Sequence, residues 1–305
     1  MLFDLDGSPY AEPAEMAGSI LSAARRVGIG MTLLPVFYAH STFGGAPPRP
    51  EQRRFINDLP SFVRLVEDCR QMIKVDEAMG IAPHSLRAVT PSELSELMSV
   101  AGDGPIHIHA AEQIKEVEDC VASLGARPVR WLLDHAGVDA RWCLVHATHM
   151  DEEETRDLAR SGAVAGLCPI TEANLGDGVF NATDYIRAGG RYGVGTDSNV
   201  SIGVAAELRQ LEYAQRLRER ARNVYAPLGA SCGRTMLDAI WAGSAQALKR
   251  NSGKLAPGAA ADLLAFRVDH PTLAGKTDDQ VLDAWIFSVG NPLVDCVWRD
   301  RKSVV

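Results

Sequence analysis

The sequence predicts a parallel α/β fold, and three observations point to it. Six short apolar runs have the length and the bounding residues of buried strands. Helical patterns lie between these runs, which is the order of βα units around a parallel sheet. A chain of 305 residues, 46% of them hydrophobic and 23% charged, can bury a core of the size that this fold needs. The length fits one α/β barrel or two smaller domains.

The predicted strands are short and almost continuously apolar, as expected for strands that are covered on both faces. They cover residues 30–38, 81–89, 105–111, 142–148, 163–168 and 191–197. A closed (β/α)8 barrel needs eight strands. Two strands are therefore missing, hidden or supplied by something else.

The predicted helices alternate with these strands. They cover residues 13–28, 59–75, 90–100, 113–125, 128–137 and 151–162. Thr90 stands before a first-turn proline and puts Glu93 at the third helical position, which is a capping box. The helix that starts at Asp151 has acidic residues in its first turn, where the helix dipole stabilises them.

The pattern changes after residue 200. Residues 203–222 and 232–248 predict two longer helices. The first has an apolar stripe formed by Val204, Leu208, Leu211 and Leu217. Its arginines lie on the remaining faces, which favours a solvated surface over a partner surface. Residues 252–271 and 295–305 return to short β-like runs with Gly and Pro turns, which predicts a small β appendage.

Charge and cysteine usage exclude several classes of protein. The net charge of −8 disfavours binding to nucleic acid and to anionic membranes, so that an anionic substrate needs local arginines. The six cysteines are scattered, without a CxxC pair, which indicates a reducing compartment. The first residues lack a signal-peptide pattern, and no apolar run is long enough to span a membrane. We therefore expect a cytoplasmic protein.

Polar residues of catalytic types follow several of the predicted strands. In parallel α/β folds the functional groups gather at the carboxyl ends of the strands. His84, His109 with Glu112, His146 and Asp197 fall at such ends. Two imidazoles, a carboxylate at another strand end and a free glutamate are what a hydrolytic zinc site uses, because the metal activates water and the glutamate moves protons.

Each histidine also has a structural interpretation. A single histidine at a strand end is more often a hydrogen-bonded structural residue than a metal ligand. His107 points into the same interior as His109 but one layer deeper, which favours a role in packing. We interpret His135, His149 and His270 as structural as well. The set at the strand ends, taken together, is harder to explain by coincidence.

The motifs at these strand ends resemble a known superfamily. "HIHAAEQ", "LVHATH" and "VGTDSN" are similar to the fifth, sixth and eighth strand motifs of the amidohydrolase superfamily, in its mononuclear deaminase branch. "LLPVFYAHSTFGG", "HSLRAVTPSEL" and "GLCPITEANLGDG" are similar, more narrowly, to the formimidoylglutamate deiminase family of histidine degradation. The resemblance covers nearly the whole chain.

The resemblance implies a TIM-type (β/α)8 barrel of the metal-dependent hydrolase kind, and it implies zinc-dependent hydrolytic deamination as the activity. It implies that His109 and Asp197 are zinc ligands and that Asp197 takes the proton from the attacking water. Glu112 is then the proton shuttle and His146 the hydrogen-bonding partner of the water or the tetrahedral intermediate. The residues that it places in the substrate pocket are His84, Arg87 and His40. Arg87 is expected to pair with a carboxylate of N-formimino-L-glutamate, an anionic amidine that is hydrolysed to N-formyl-L-glutamate and ammonia.

The sequence also departs from the superfamily pattern. The superfamily takes two further zinc ligands from an HxH pair on its first barrel strand, whereas the HxH of this chain, His107 and His109, belongs to the fifth-strand motif. The start at Met1 fits a position just after the second strand. Asn199 stands where the superfamily commonly has histidine. We therefore expect strands 3 to 8 of a barrel whose first two strands are missing, in residues 1–250, and part of a composite β-sandwich in residues 251–305.

These departures leave more than one function open. One imidazole and one carboxylate bind zinc weakly, because zinc needs three or four protein ligands. An open barrel also exposes sheet edges that favour association, and a homodimer is expected. The first alternative to a formimino-glutamate deiminase is a non-catalytic remnant or assembly subunit of a deaminase. The second is an amidohydrolase that acts on another amidine or on an aminated heterocycle.

Overall fold

The structure is a computed structural model of the chain. It describes residues 2–4, 8–198, 201–300 and 302–303. Asn199, at which the sequence departs from the superfamily pattern, lies outside the described residues, as does Met1.

A parallel sheet forms the centre of the molecule. Its strands are β1 (Thr32–Leu33), β2 (Val36–Phe37), β3 (Ala78–Met79), β4 (Ala82–Pro83), β5 (Ile106–Ala110), β6 (Trp142–His146), β7 (Val164–Leu167) and β8 (Arg191–Val194). β1 pairs with β3, β2 pairs with β4, and β5 to β8 pair in chain order, all in parallel. Isolated bridges from Ile81 to Ile106 and from Ser85 to His109 join the β3–β4 segment to β5. The parallel α/β prediction is confirmed.

The first two predicted strands differ from the observed ones in detail. Residues 30–38 form two short pieces, β1 and β2, on either side of Pro35. The second strand begins at Ala78, three residues before its predicted start, and the chain enters a turn after Ser85. Gly80 lies between β3 and β4, where a Cβ atom would come within 2.0 Å of the Pro105 carbonyl oxygen, so a larger residue does not fit. His84 and Arg87 therefore lie at the end of the strand and in the turn after it.

All six helices predicted before residue 163 are present. They are α1 (Glu15–Val27), α2 (Leu59–Met72), α3 (Pro91–Ala101), α4 (Ile114–Leu124), α5 (Pro128–His135) and α6 (Glu152–Ser161). The capping box at α3 is confirmed: the Glu93 amide donates to Thr90 Oγ1 at 3.3 Å, and the Thr90 amide donates to Glu93 Oε2 at 2.8 Å. Asp151 and Glu154 form a second capping box at α6.

Three short helices were not predicted. They are α7 (Pro169–Leu175), α8 (Ala182–Arg187) and α11 (Asp279–Ala284), the last of which continues into a π-helical turn at Trp285–Val289. None of them exceeds seven residues, too few for a repeating apolar stripe to show in the sequence. α7 follows β7 directly and lies beside the candidate site.

The two longer helices are α9 (Val204–Glu219) and α10 (Cys232–Ala247). The predicted apolar stripe on α9 is only half buried, since Leu217 is 81% exposed. Leu208 and Leu211 are buried, and they share the buried face with three fully buried polar residues, Glu207, Glu212 and Gln215. The interpretation of the arginines as a solvated face is wrong in part, because Arg216 Nε donates to Glu212 at 2.7 Å. Helical spacing alone did not identify the buried face.

The C-terminal strands form the predicted small β appendage. β9 (Leu263–Phe266), β10 (Val294–Arg299) and β11 (Lys302–Ser303) make an antiparallel sheet with β10 in the middle. The main hydrophobic core also includes residues beyond position 250, among them Trp285 and Ile286. The predicted boundary between residues 250 and 251 stays a prediction. Within the described ranges, no helix has both the length and the apolar character to cross a membrane.

Candidate active site

Three histidines line up across the carboxyl ends of adjacent strands. His84 follows β4, His109 is the fourth residue of β5, and His146 ends β6. The ring centroids of His84 and His109 are 4.8 Å apart, and those of His109 and His146 are 5.6 Å apart. Tyr38 packs edge-on against His84 with its ring centroid 4.5 Å away. Parallel pairing of β4, β5 and β6 thus brings side chains from three separate segments into one row.

Two carboxylates accompany this row. Glu112 lies two residues beyond β5, and its Oε1 is 3.6 Å from His146 Nε2. Asp197 lies beyond β8. Burial lowers the pKa of His109 and the negative charge of Asp197 partly opposes this, while the same charge contributes to the raised pKa of His146. The structure therefore gathers His109, Glu112 and His146, and Asp197 acts on the same two imidazoles.

Hydrogen bonds fix which ring nitrogen of His109 is free. Its Nδ1 lies 2.8 Å from the carbonyl oxygen of His84, which can only accept, so Nδ1 carries the hydrogen. The lone pair of Nε2 is then available to a metal ion or to another donor. Burial lowers the pKa of His109, an effect that the hydrogen bond to His84 opposes, and the ring is held in its neutral, ligand-competent form.

The environments of the two flanking histidines differ. Burial, with smaller contributions from the neighbouring His109 and Arg87, lowers the pKa of His84 to about 3. Burial also lowers the pKa of His146, but Glu172, Glu112 and Asp197 more than offset this and leave it above the ordinary value. The row thus contains two histidines with opposite pKa shifts. Burial favours the neutral form of His84, whereas the surrounding carboxylates favour the protonated form of His146.

The strand ends that carry these groups have strained backbones. Ala111 has φ of 53°, His146 67°, Ala147 49° and Asp197 50°. These values lie in the left-handed region, which costs residues other than glycine roughly 1–2 kcal/mol each. The Ala147 amide donates to the carbonyl of Ala110, which holds the end of β6 against β5. These strained residues lie where the chain turns beside the site, and the surrounding fold holds them in this conformation.

Arg87 lines a cleft of about 430 Å³ beside the row, together with Tyr38, Arg49 and Gln113. Glu116 also lines the cleft, and its carboxylate accepts hydrogen bonds from the amides of Ala111 and Glu112 at 3.1 and 2.9 Å. The loop that carries Glu112 is therefore held by a side chain one helical turn away.

His40 is paired outside this row. Its Nε2 lies 2.9 Å from Glu93 Oε2, so the ring is bonded to the capping residue of α3. Its predicted place in the substrate pocket stays a prediction. The remaining histidines bond to backbone groups, as expected for structural residues: His107 to Ala247, His135 to Trp131, His149 to Asp177 and His270 to Thr272.

The residues at the site do not by themselves complete a zinc site. Zinc takes three or four protein ligands. Among the described residues, no three His, Cys, Asp or Glu side chains group so as to hold a metal ion. His109 and Asp197 offer two donors of the right chemistry.

One residue of the site was missed by the sequence reasoning. Glu172, on α7, is 4% exposed, and its Oε1 is 3.3 Å from His146 Nδ1. It lies in "TEANLGDG", which contributed to the resemblance but was assigned no role. No local signal in the sequence links it to His146, 26 residues earlier.

Comparison with known proteins agrees with this geometry. The sequence profile of the amidohydrolase family matches residues 13–302. Formimidoylglutamate deiminase of Pseudomonas aeruginosa is 51% identical over 305 residues, which is 99% of this chain and 67% of that protein. The crystal structure of an amidohydrolase from Brucella melitensis has 53% identity and a TM-score of 0.92, and the match covers 98% of this chain and 67% of that one.

A more distant structure shares the fold. An adenosine deaminase from Xanthomonas campestris, crystallised with bound zinc, has a TM-score of 0.78 at 22% identity, over 94% of this chain and 63% of that one. At this level of identity the likeness shows the fold only. The chain spans about two thirds of the length of each of these three proteins.

Proposed function

This chain belongs to the amidohydrolase family, and from that premise we propose that it hydrolyses N-formimino-L-glutamate to N-formyl-L-glutamate and ammonia, a step of histidine degradation. The 51% identity to formimidoylglutamate deiminase over 99% of the chain carries the proposal. The row of histidines beside Glu112 supports it, because hydrolytic deamination needs groups that accept and return protons at one point.

In the proposed reaction the protein's own groups move two protons. Asp197 takes a proton from the attacking water, whose oxygen bonds to the amidine carbon. His146, in its protonated form, donates a hydrogen bond from Nε2 to that oxygen while the carbon is tetrahedral, and its Nδ1 is bonded to Glu172. Glu112, 3.6 Å from His146, takes the remaining proton of the tetrahedral hydroxyl and delivers it to the departing nitrogen of the cationic amidine. That nitrogen leaves as ammonia as the C–N bond breaks and the C=O bond forms, and the proton on Asp197 returns to solvent. The contribution of one such positioned acid or base is roughly 10²–10⁴-fold.

The substrate is proposed to lie with a carboxylate in the cleft beside the row. Arg87 pairs with that carboxylate, since a guanidinium group binds carboxylates through two parallel hydrogen bonds. His84 lies between Arg87 and the reacting end, and His40 completes the pocket in this proposal. An anionic amidine is the substrate class that these groups fit.

A single zinc ion is the proposed cofactor, with His109 and Asp197 as two of its ligands. Two donors bind zinc weakly. We therefore expect the isolated chain to lose zinc during purification and to need added zinc for any activity that depends on the metal.

Three further proposals concern the context of the chain. It works as a homodimer, which light scattering tests. It is located in the cytoplasm, because the described cysteines are free thiols and all but Cys296 are buried. Residues 1–250 form the barrel unit and residues 251–305 the β-sandwich remnant, a division that limited proteolysis tests.

The test is turnover of N-formimino-L-glutamate, measured as ammonia release with added zinc and checked by proton NMR for N-formyl-L-glutamate. Zinc content is measured on the same sample by elemental analysis. Turnover supports the proposal. No turnover with roughly stoichiometric zinc removes this substrate and favours another amidine or an aminated heterocycle. No turnover in a folded chain that takes up no zinc favours the non-catalytic alternative.

A further inference from the structure

We propose that Glu172 is a positioning residue that sets the tautomer and the orientation of His146. It acts through a hydrogen bond to Nδ1, which leaves Nε2 of His146 facing Glu112. The consequence for turnover rests on the function proposed above, whereas the consequence for His146 itself does not.

Contacts other than the one with His146 hold the carboxylate of Glu172 in place. The residue is 4% exposed, and its Oε1 accepts the amide hydrogen of Cys168 at 3.0 Å. Glu172 is the fourth residue of α7, and its side chain turns back to the start of its own helix. The Ile170 amide donates to Glu207 Oε2 at 2.9 Å, which ties α7 to the buried face of α9. The position of the carboxylate is therefore determined by two helices.

The same oxygen faces His146. Oε1 of Glu172 is 3.3 Å from Nδ1, and His146 is 1% exposed. Oε1 already accepts the Cys168 amide hydrogen and acts as an acceptor toward His146 too, so Nδ1 carries the hydrogen and Nε2 keeps the lone pair when the ring is neutral. On the opposite side of the ring, Nε2 is 3.6 Å from Glu112 Oε1. Rotation of the ring by half a turn would break the contact with Glu172 inside a closed space.

A capping role for Glu172 is the competing explanation. If Glu172 served only to satisfy the Cys168 amide, its contact with His146 would be incidental and the tautomer of His146 would not depend on it. The two roles differ in a property of His146 that can be measured without substrate.

The experiment records long-range ¹H–¹⁵N correlations of the histidine rings in the full chain, at a pH where His146 is neutral. A His146→Asn variant assigns the signal. We expect the Nδ1–H tautomer in the wild type and in Glu172→Gln, whose amide oxygen can accept both hydrogen bonds. Glu172→Ala is expected to lose this preference. Glu154→Gln is the matched control, because Glu154 is an equally buried helix-capping glutamate that pairs with Arg127.

An Nε2–H tautomer in the wild type overturns the proposal, and so does an unchanged Nδ1–H tautomer in Glu172→Ala. If Glu172→Ala does not fold, two results test the proposal instead: the tautomer of His146 in the wild type and its retention in Glu172→Gln.

Kinetics give the second readout. In metal sites, loss of the hydrogen-bonding partner that orients a histidine typically lowers activity by about 10- to 100-fold. We expect a fall of that size in kcat for Glu172→Ala with KM unchanged, and a smaller fall for Glu172→Gln. A wild type that shows the predicted tautomer but no turnover contradicts the proposed function and leaves this inference standing. Turnover with the opposite tautomer contradicts only the inference.

Discussion

Glu112 and His146 face each other across the carboxyl ends of β5 and β6, with Oε1 of the glutamate 3.6 Å from Nε2 of the histidine. The pairing of neighbouring parallel strands, in which Ala110 lies opposite His146, brings the two groups together from separate segments. A carboxylate and an imidazole at this separation can exchange a proton through one shared substrate atom or water.

Arg87 is predicted to govern substrate affinity. Arg87→Gln removes the guanidinium from the cleft, and a hydrogen bond to a charged group is worth about 1.5–3 kcal/mol, which corresponds to a rise in KM of about 10- to 100-fold. Steady-state kinetics with N-formimino-L-glutamate measure this, with kcat little changed. Arg64→Gln on the exposed face of α2 makes the same charge change away from the cleft and serves as the control. Equal KM values in the two variants would exclude Arg87 from carboxylate binding.

Zinc is predicted to stabilise the chain through His109 and Asp197. Free zinc at ten times its Kd adds about 1.4 kcal/mol to the free energy of unfolding, which raises Tm by a few degrees. His109→Asn and Asp197→Asn should each abolish this rise in a thermal melt. His135→Asn removes an exposed imidazole and should keep it. Persistence of the full shift in both site variants would show that the ligands lie elsewhere.

Glu207 is predicted to make stability depend on pH. It is fully buried, and its Oε1 has no hydrogen-bond partner among the described residues. Burial, with the charges of Glu172 and Asp197, raises its pKa from 4.5 to about 7. The folded state therefore binds the proton more tightly than the unfolded state does. The associated stability is complete below pH 4.5 and is lost as the pH rises to about 7.

The matching variant is Glu207→Gln, which carries no titratable group. Its free energy of unfolding should rise relative to the wild type between pH 4.5 and 7 and stay level above, by at most about 3 kcal/mol. Urea unfolding at pH 4.5, 6 and 8 measures the difference. A difference that is the same at all three pH values would show that Glu207 does not titrate between them.

The strands that carry the site could be predicted because most residues of β5 to β8 are buried or half-buried, and such strands appear as short, largely apolar runs. The histidines and Glu112 could be predicted because strand ends in a parallel sheet converge wherever the strands pair. Glu172 could not, because its helix has seven residues and its contact with His146 depends on how the chain returns after β7. The positive φ of Ala111 and Ala147 was equally hidden, since alanine gives no sign of a left-handed backbone.

The pairing of His40 with Glu93 shows a second limit. The capping box at α3 was evident from local spacing, whereas the third member of that cluster comes from the loop after β2. Local sequence patterns predict helix caps and strands. Which side chains already have hydrogen-bond partners depends on the folded structure.

The central claim is that Glu112, facing His146, carries the proton transfer of a hydrolytic deamination. The most direct measurement is the rate of ammonia release from N-formimino-L-glutamate by the zinc-supplemented chain, by its Glu112→Gln variant and by Glu118→Gln, which alters an exposed glutamate on α4, the helix that follows Glu112. We predict a loss of at least about 100-fold for Glu112→Gln and none for Glu118→Gln. Wild-type rates in Glu112→Gln would contradict the account.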